Sequence, residues 1–148
     1  MNHAELVIRA AGWLKNFFHC RVILSELVAY TNSCETPDAI GWVHNRAILV
    51  ECKATVDDFR ADLKKRARHP LMPALGAWRF CLTPPDLLKS ENLIRGYQGW
   101  GLYEVHDRRI VHVGGIEYSN AARPPFESDR NSEVAMLVSA LSRISNDN

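Results

Sequence analysis

No stretch of this sequence stays apolar for the roughly 18–20 residues that a helix needs to cross a bilayer. None of its four cysteines stands in a C-x-x-C pair. The first absence excludes a helical membrane span, and the second removes the usual thiol-redox and zinc-ribbon signatures. Excess charge is missing as well: 18 basic against 17 acidic side chains leave +1. Any case for a nucleic-acid partner must therefore rest on where charges cluster and not on their sum. His44, His69, His106 and His112 lack the spacing of a zinc site. Gly114-Gly115 sits in no phosphate-binding consensus. Repeats, low-complexity tracts and interdomain linkers are also lacking.

What is present is an ordinary globular composition. The 148 residues are 47% hydrophobic and 24% charged, which suits one domain spanning 1–148 with a core of its own. Cys20, Cys52 and Cys81 each lie beside or inside an apolar run, as buried thiols do. Residues 1–19 carry Glu5, Arg9 and Lys15 and form no signal-peptide core. A reduced, cytoplasmic protein is expected.

Leu6, Val7, Ala10, Ala11, Leu14, Phe17 and Phe18 recur at helical spacing over 3–18. The run from Arg21 to Tyr30, rich in β-branched and aliphatic residues, reads as a strand. Asp38–Val43 and Arg46–Lys53 read as two more, joined by a tight turn at His44-Asn45. Thr55-Val-Asp-Asp58 is a near capping box that opens a helix to about Arg68, with Val56, Phe59 and Leu63 on one face. Trp78–Thr83 is a further strand, and Gly101–His106 with Arg109–Val113 form a hairpin hinged at Asp107-Arg108. Residues 119–131 read as a loop. A last helix, 132–144, places Val134, Leu137, Val138, Leu141 and Ile144 on one stripe. The order implies an α/β domain built on one mixed sheet.

Chemistry concentrates in Pro37-Asp38 and, thirteen residues on, Glu51-Cys52-Lys53. Period two puts Glu51 and Lys53 on one face of their strand and turns Cys52 into the core with Ile48 and Val50. Two carboxylates beside an ammonium among aliphatic neighbours are costly unless something uses them. Mg²⁺ suits such a set: it takes oxygen ligands, keeps several waters, and needs only one or two carboxylates. Asp38 and Glu51 would hold it, and Lys53 would orient or help deprotonate a metal-bound water and offset charge in the transition state. By chance such a motif arises in on the order of 2% of chains this long. Its context discriminates further: the Asp opens one strand, the Glu-x-Lys ends the next, and a helix follows.

The segments Thr-Pro37-Asp38-Ala-Ile-Gly-Trp, Ile-Leu-Val-Glu51-Cys-Lys53-Ala and Val-Asp-Asp-Phe-Arg-Ala-Asp-Leu-Lys-Lys resemble the PD-(D/E)xK nuclease superfamily. That family has a restriction-endonuclease-like core of helix, three strands, helix and strand. The resemblance covers roughly residues 3–83. Trp-Arg-Phe-Cys-Leu-Thr-Pro and Gly-Leu-Tyr-Glu-Val further look like its MmcB-type DNA-repair branch. It implies hydrolysis of DNA phosphodiesters with Mg²⁺ or Mn²⁺ in repair, recombination or phage/host DNA processing. Metal ligation would fall to Asp38, Glu51 and the Cys52 main-chain carbonyl. Many members add an acidic residue; Glu26, set among aliphatics, is preferred for it, with Glu5 on the first helix as the rival.

Each feature has a plainer explanation. Asp38 after Pro37 suits a turn, and Glu51 with Lys53 suits a solvated strand edge. Lys64, Lys65, Arg66 and Arg68 suit a helix C-terminus, or else they grip phosphate. Trp42, Trp78 and Trp100 read as core or rim aromatics before base-stacking platforms. A nuclease-like fold kept only for binding nucleic acid or protein is the alternative function. An obligate complex, a homodimer included, would use the 101–113 hairpin or the last helix.

Overall fold

Asn2 opens the first helix by a reciprocal cap. Its side chain accepts the Glu5 N–H at 2.9 Å, and a Glu5 carboxylate oxygen accepts the Asn2 N–H at 2.8 Å. The computed structural model describes residues 1–25, 36–65, 73–89 and 97–146. Its elements run α1 (His3–Asn16), β1 (Val22–Ser25), β2 (Ala39–Val43), β3 (Arg46–Cys52), α2 (Val56–Leu63), β4 (Trp78–Thr83), β5 (Gly101–His106), β6 (Arg109–Gly115) and α3 (Arg130–Asn146). No helix among the described residues is long and apolar enough to cross a membrane.

The six strands form one sheet in sequence order. β1, β2 and β3 pair antiparallel, β3, β4 and β5 parallel, and β5 and β6 antiparallel, so the sheet is mixed as expected. His44 and Asn45 both adopt positive φ, at 50° and 58°. This is the primed-turn geometry that matches the twist of a two-residue hairpin. Asp107 at the β5–β6 turn also has positive φ, 54°, where Asp is better tolerated than most side chains.

Strand alternation divides the core. Ile48, Val50, Cys52, Trp78, Phe80, Leu82, Tyr103 and Val105 face α1, whose Leu6, Val7, Ala10, Trp13 and Leu14 cover them. Phe80 lies at the centre of this layer, with the rings of Trp13, Phe18 and Tyr103 at 5.7, 5.7 and 5.1 Å. The other face carries Ile40, Ala47, Leu49, Cys81 and Leu102 and is closed by Phe59 of α2, Met136 of α3, Leu75, Leu88, Tyr97 and Trp100. Trp78 and Trp100 are therefore core aromatics, and Cys20, Cys52 and Cys81 are buried free thiols.

A buried polar cluster ties α3 to the sheet. Glu133 accepts the Gly76 N–H at 2.9 Å and the Ser128 hydroxyl at 3.1 Å. Arg79 donates to the carbonyls of Gly76 and Ala74 and lies 3.8 Å over the Phe126 ring. Gly76 is needed there: its φ is +88°, and a Cβ would come within 2.7 Å of Leu49.

Two expected helix stripes are corrected. In α2 the buried pair is Phe59 and Asp62, while Val56 and Leu63 are exposed. In α3 the buried residues are Ser132, Glu133 and Met136, and Val134, Val138, Leu141 and Ile144 each stand more than half exposed. The hydrogen bonds of Glu133 and Ser132 rotate that helix, turning its most apolar stripe outward. Thermal and urea unfolding test this directly. Leu141→Lys is expected to stay within about 0.5 kcal/mol of wild type, as surface changes do, whereas Phe80→Ala should cost about 3–5 kcal/mol. A Leu141→Lys loss of core size would show that the stripe is packed.

Candidate active site

β3 is buried from Ala47 to its end, and its alternation sends Leu49, Glu51 and the following Lys53 to the α2 side. Glu51 is 2% exposed and Lys53 4%, which excludes a solvated strand edge. Lys53 Nζ lies 3.1 Å from Asp62 Oδ1 and 3.9 Å from Glu51 Oε2. Asp62, 1% exposed on α2, also receives Lys65 Nζ at 2.9 Å and the Tyr97 hydroxyl. Burial by itself would lower the Lys53 pKa, but the carboxylates of Glu51 and Asp62 outweigh it and hold it above the ordinary lysine value. Lys53 is thus an ammonium at neutral pH. Cys52 is the reverse case: burial, reinforced by Asp38 and Glu51, pushes its thiol far up, so it offers only its backbone.

Asp38 immediately precedes β2. Ala39, the first residue of β2, pairs with Val50 of β3. Asp38 Oδ2 accepts the Cys52 N–H at 2.7 Å, and Oδ1 lies 3.3 Å from His3 Nε2 at the start of α1. A strand residue's N–H and C=O leave on the same side, so the Cys52 carbonyl points to the edge that Asp38 occupies.

The acids and the amine gather where parallel strands end. Lys53 N–H donates to the Leu82 carbonyl, which sets Lys53 beside Thr83, and Thr83 pairs with Glu104 of β5. The carboxyl ends of parallel strands are where open α/β sheets commonly place ligands.

A divalent cation that keeps several waters would draw its oxygen donors here from the half-buried Asp38, the buried Glu51 and the Cys52 main-chain carbonyl. They do not make an all-protein cage: among the described residues no three His, Cys, Asp or Glu side chains are grouped to hold a metal.

The remaining expectations divide. Glu5 is occupied in the α1 cap. Glu26 lies outside the described residues, as do Arg66 and Arg68. Lys65 turns back to Asp62, and Lys64 caps α2 with its N–H while its side chain stays exposed. Asp62, Tyr97 and His3 escaped the sequence reading. Asp62 had a signal, since it stands three residues after Phe59 on the face that turns inward.

No family model and no curated protein matches the chain. It is similar to a solved structure, the SPO1766 protein of unknown function from Silicibacter pomeroyi, at 20% identity and a TM-score of 0.58, over 97% of this chain and 90% of that one. A likeness at this identity concerns the fold: α/β, with a six-stranded mixed sheet and three helices among the described residues.

The Lys53–Asp62 bridge carries a pH signature. A lysine whose pKa is raised by folding contributes stability in full below its unfolded value of about 10.4, and loses it as pH rises through the folded value. Asp62→Ala is expected to cost about 3–5 kcal/mol at pH 7, as breaking a buried pair does. Urea titrations should show its deficit shrinking only above pH 10. A deficit under about 1 kcal/mol, or one that fades between pH 6 and 8, contradicts the assignment.

Proposed function

We propose that the chain is a metal-dependent nuclease of the PD-(D/E)xK kind that hydrolyses DNA phosphodiester bonds, and that it resembles the MmcB-type repair branch. The observation that carries this reading is the buried Glu51–Lys53 pair at the carboxyl end of β3, with Asp38 accepting the N–H of Cys52 between them. Glu51, Asp62 and Lys53 bury two carboxylates against one ammonium, and a cation would offset the excess negative charge. The element order supports it too: helix, three strands, helix and strand precede the β5–β6 hairpin, as the resemblance implies.

Mg²⁺ or Mn²⁺, held by Asp38, Glu51 and the Cys52 carbonyl, would polarise the phosphoryl group and acidify a bound water. The chain's own residues do the rest. Asp38 accepts the Cys52 N–H, which holds its carboxylate at the end of β3. Lys53, kept protonated by Glu51 and Asp62, offers charge and a hydrogen-bond donor to the phosphoryl oxygens or the attacking water. That protonation favours stabilising negative charge over removing a proton. Asp62 and Tyr97 hold the amine in place. A reduced cytoplasmic setting fits the three buried free thiols.

One observation favours the alternative, a fold kept for binding nucleic acid or a protein: Asp38 is already engaged by the Cys52 N–H and His3. Two measurements separate the readings. Plasmid, linear, branched and single-stranded DNA incubated with Mg²⁺ or Mn²⁺ should be cut by wild type. Cleavage should fall at least ~100-fold in Asp38→Asn, Glu51→Gln and Lys53→Met with circular dichroism unchanged. Calorimetric titration with Mn²⁺ should show heat that disappears in Asp38→Asn. No cleavage of any nucleic acid, together with no Asp38-dependent heat, leaves only the binding reading.

A further inference from the structure

The β5–β6 turn gathers charge that the site described above does not use. His106 ends β5 with Nε2 2.9 Å from Glu104 Oε1, and the buried Glu104 is fixed through its other oxygen, which accepts the Asp86 N–H at 2.9 Å. Arg108 and Arg109 follow at the exposed tip. From α1, Arg9 Nη1 donates to the Asp107 carbonyl at 2.6 Å, which brings a third guanidinium to the turn and leaves its other donors to spare. Among the described residues neither Arg108 nor Arg109 forms an ion pair, although Asp107 stands between His106 and Arg108 and Glu117 lies 4.0 Å from His112.

Hollows flank this turn on both sides. One of about 520 Å³ is lined by Pro85 and residues 106–109. The other, about 710 Å³, runs between α1 and β6 and is lined by Arg9, Trp13, Phe17, Arg108, Arg109 and His112, among others. A solvated hairpin tip explains two arginines. It does not explain a third from another element, nor a histidine held by a buried carboxylate, in a chain whose net charge is only +1.

The position is informative. Lys53, Thr83 and Glu104 form a row across three strands, about 10 Å at ordinary strand spacing, and His106 lies about 7 Å further along β5. α1 links the two ends, with His3 at Asp38 and Arg9 at the turn, about 9 Å apart along the helix. The separation of roughly 12 Å between Lys53 and the turn corresponds to about three or four nucleotides of one strand.

We propose that this turn is a backbone clamp for nucleic acid, in which Arg9, Arg108, Arg109 and His106 take phosphodiester groups a few nucleotides from the scissile one. It rests on the nuclease reading, which supplies the strand. The clamp reads no base sequence. It sets the direction in which a strand leaves the Lys53 end of the sheet.

The test is fluorescence anisotropy of labelled duplex and single-stranded DNA without metal, from 50 to 200 mM salt. Arg108→Ala/Arg109→Ala should weaken binding about tenfold or more and lower the salt slope by about two for duplex; Arg9→Gln should lower it by about one. Arg108→Lys/Arg109→Lys should keep most of the slope, and Lys15→Ala, on the same helix, should keep all of it. Circular dichroism melting confirms that the variants fold. Binding of the double alanine variant within twofold of wild type, at the same slope, overturns the clamp. If that variant also cleaves like wild type, the nuclease reading stands without it. Turn-dependent binding with no cleavage under any metal supports the clamp and removes the nuclease reading. Absence of DNA binding by the wild type overturns the clamp.

Discussion

A lysine ammonium buried between two carboxylates is the constraint on which the rest of this structure turns. Lys53 cannot sit buried at the end of β3 unless Glu51 and Asp62 compensate its charge. Asp62 belongs to α2, so the compensation fixes how that helix lies on the sheet. Tyr97 reaches the same carboxylate from a segment more than thirty residues away in sequence. One charge cluster thereby links a strand, the helix after it and a distant loop.

The sheet gives that cluster its place. β3, β4 and β5 run parallel, and their polar side chains collect at the carboxyl ends: Glu51, Lys53, Thr83, Glu104 and His106 on the α2 side. The opposite face stays apolar, filled by the aromatic stack of Trp13, Phe18, Trp78, Phe80 and Tyr103 under α1. A dry, rigid layer behind the strands holds the polar face to a fixed geometry. Asp38 joins from the antiparallel half, where β2 begins beside the end of β3.

A second buried cluster shows the same physics without a site. Burial holds the Glu133 pKa above the ordinary carboxylate value, although the Gly76 N–H and Ser128 hydroxyl offset part of the rise. Together with Arg79 it fixes α3 and the turn before β4. Here the polar groups are satisfied by backbone and side chains around them. At Lys53 they meet one another at the end of the sheet.

The strands, the two hairpin turns and the helix starts were legible in the sequence because they depend on neighbours a few residues apart. Alternation exposed β3, apolar spacing marked α1, a near capping box marked α2, and His44-Asn45 supplied the positive φ that a tight turn needs. The same alternation paired Glu51 with Lys53. Only tertiary structure decided that Asp62 and Tyr97 clamp Lys53, that His3 meets Asp38, and that α3 buries Glu133 while turning Leu141 to solvent. A helix's apolar stripe shows which face would prefer burial, but which face is buried depends on where the rest of the chain offers partners for its polar groups. Those partners come from distant segments, and local periodicity carries no record of them.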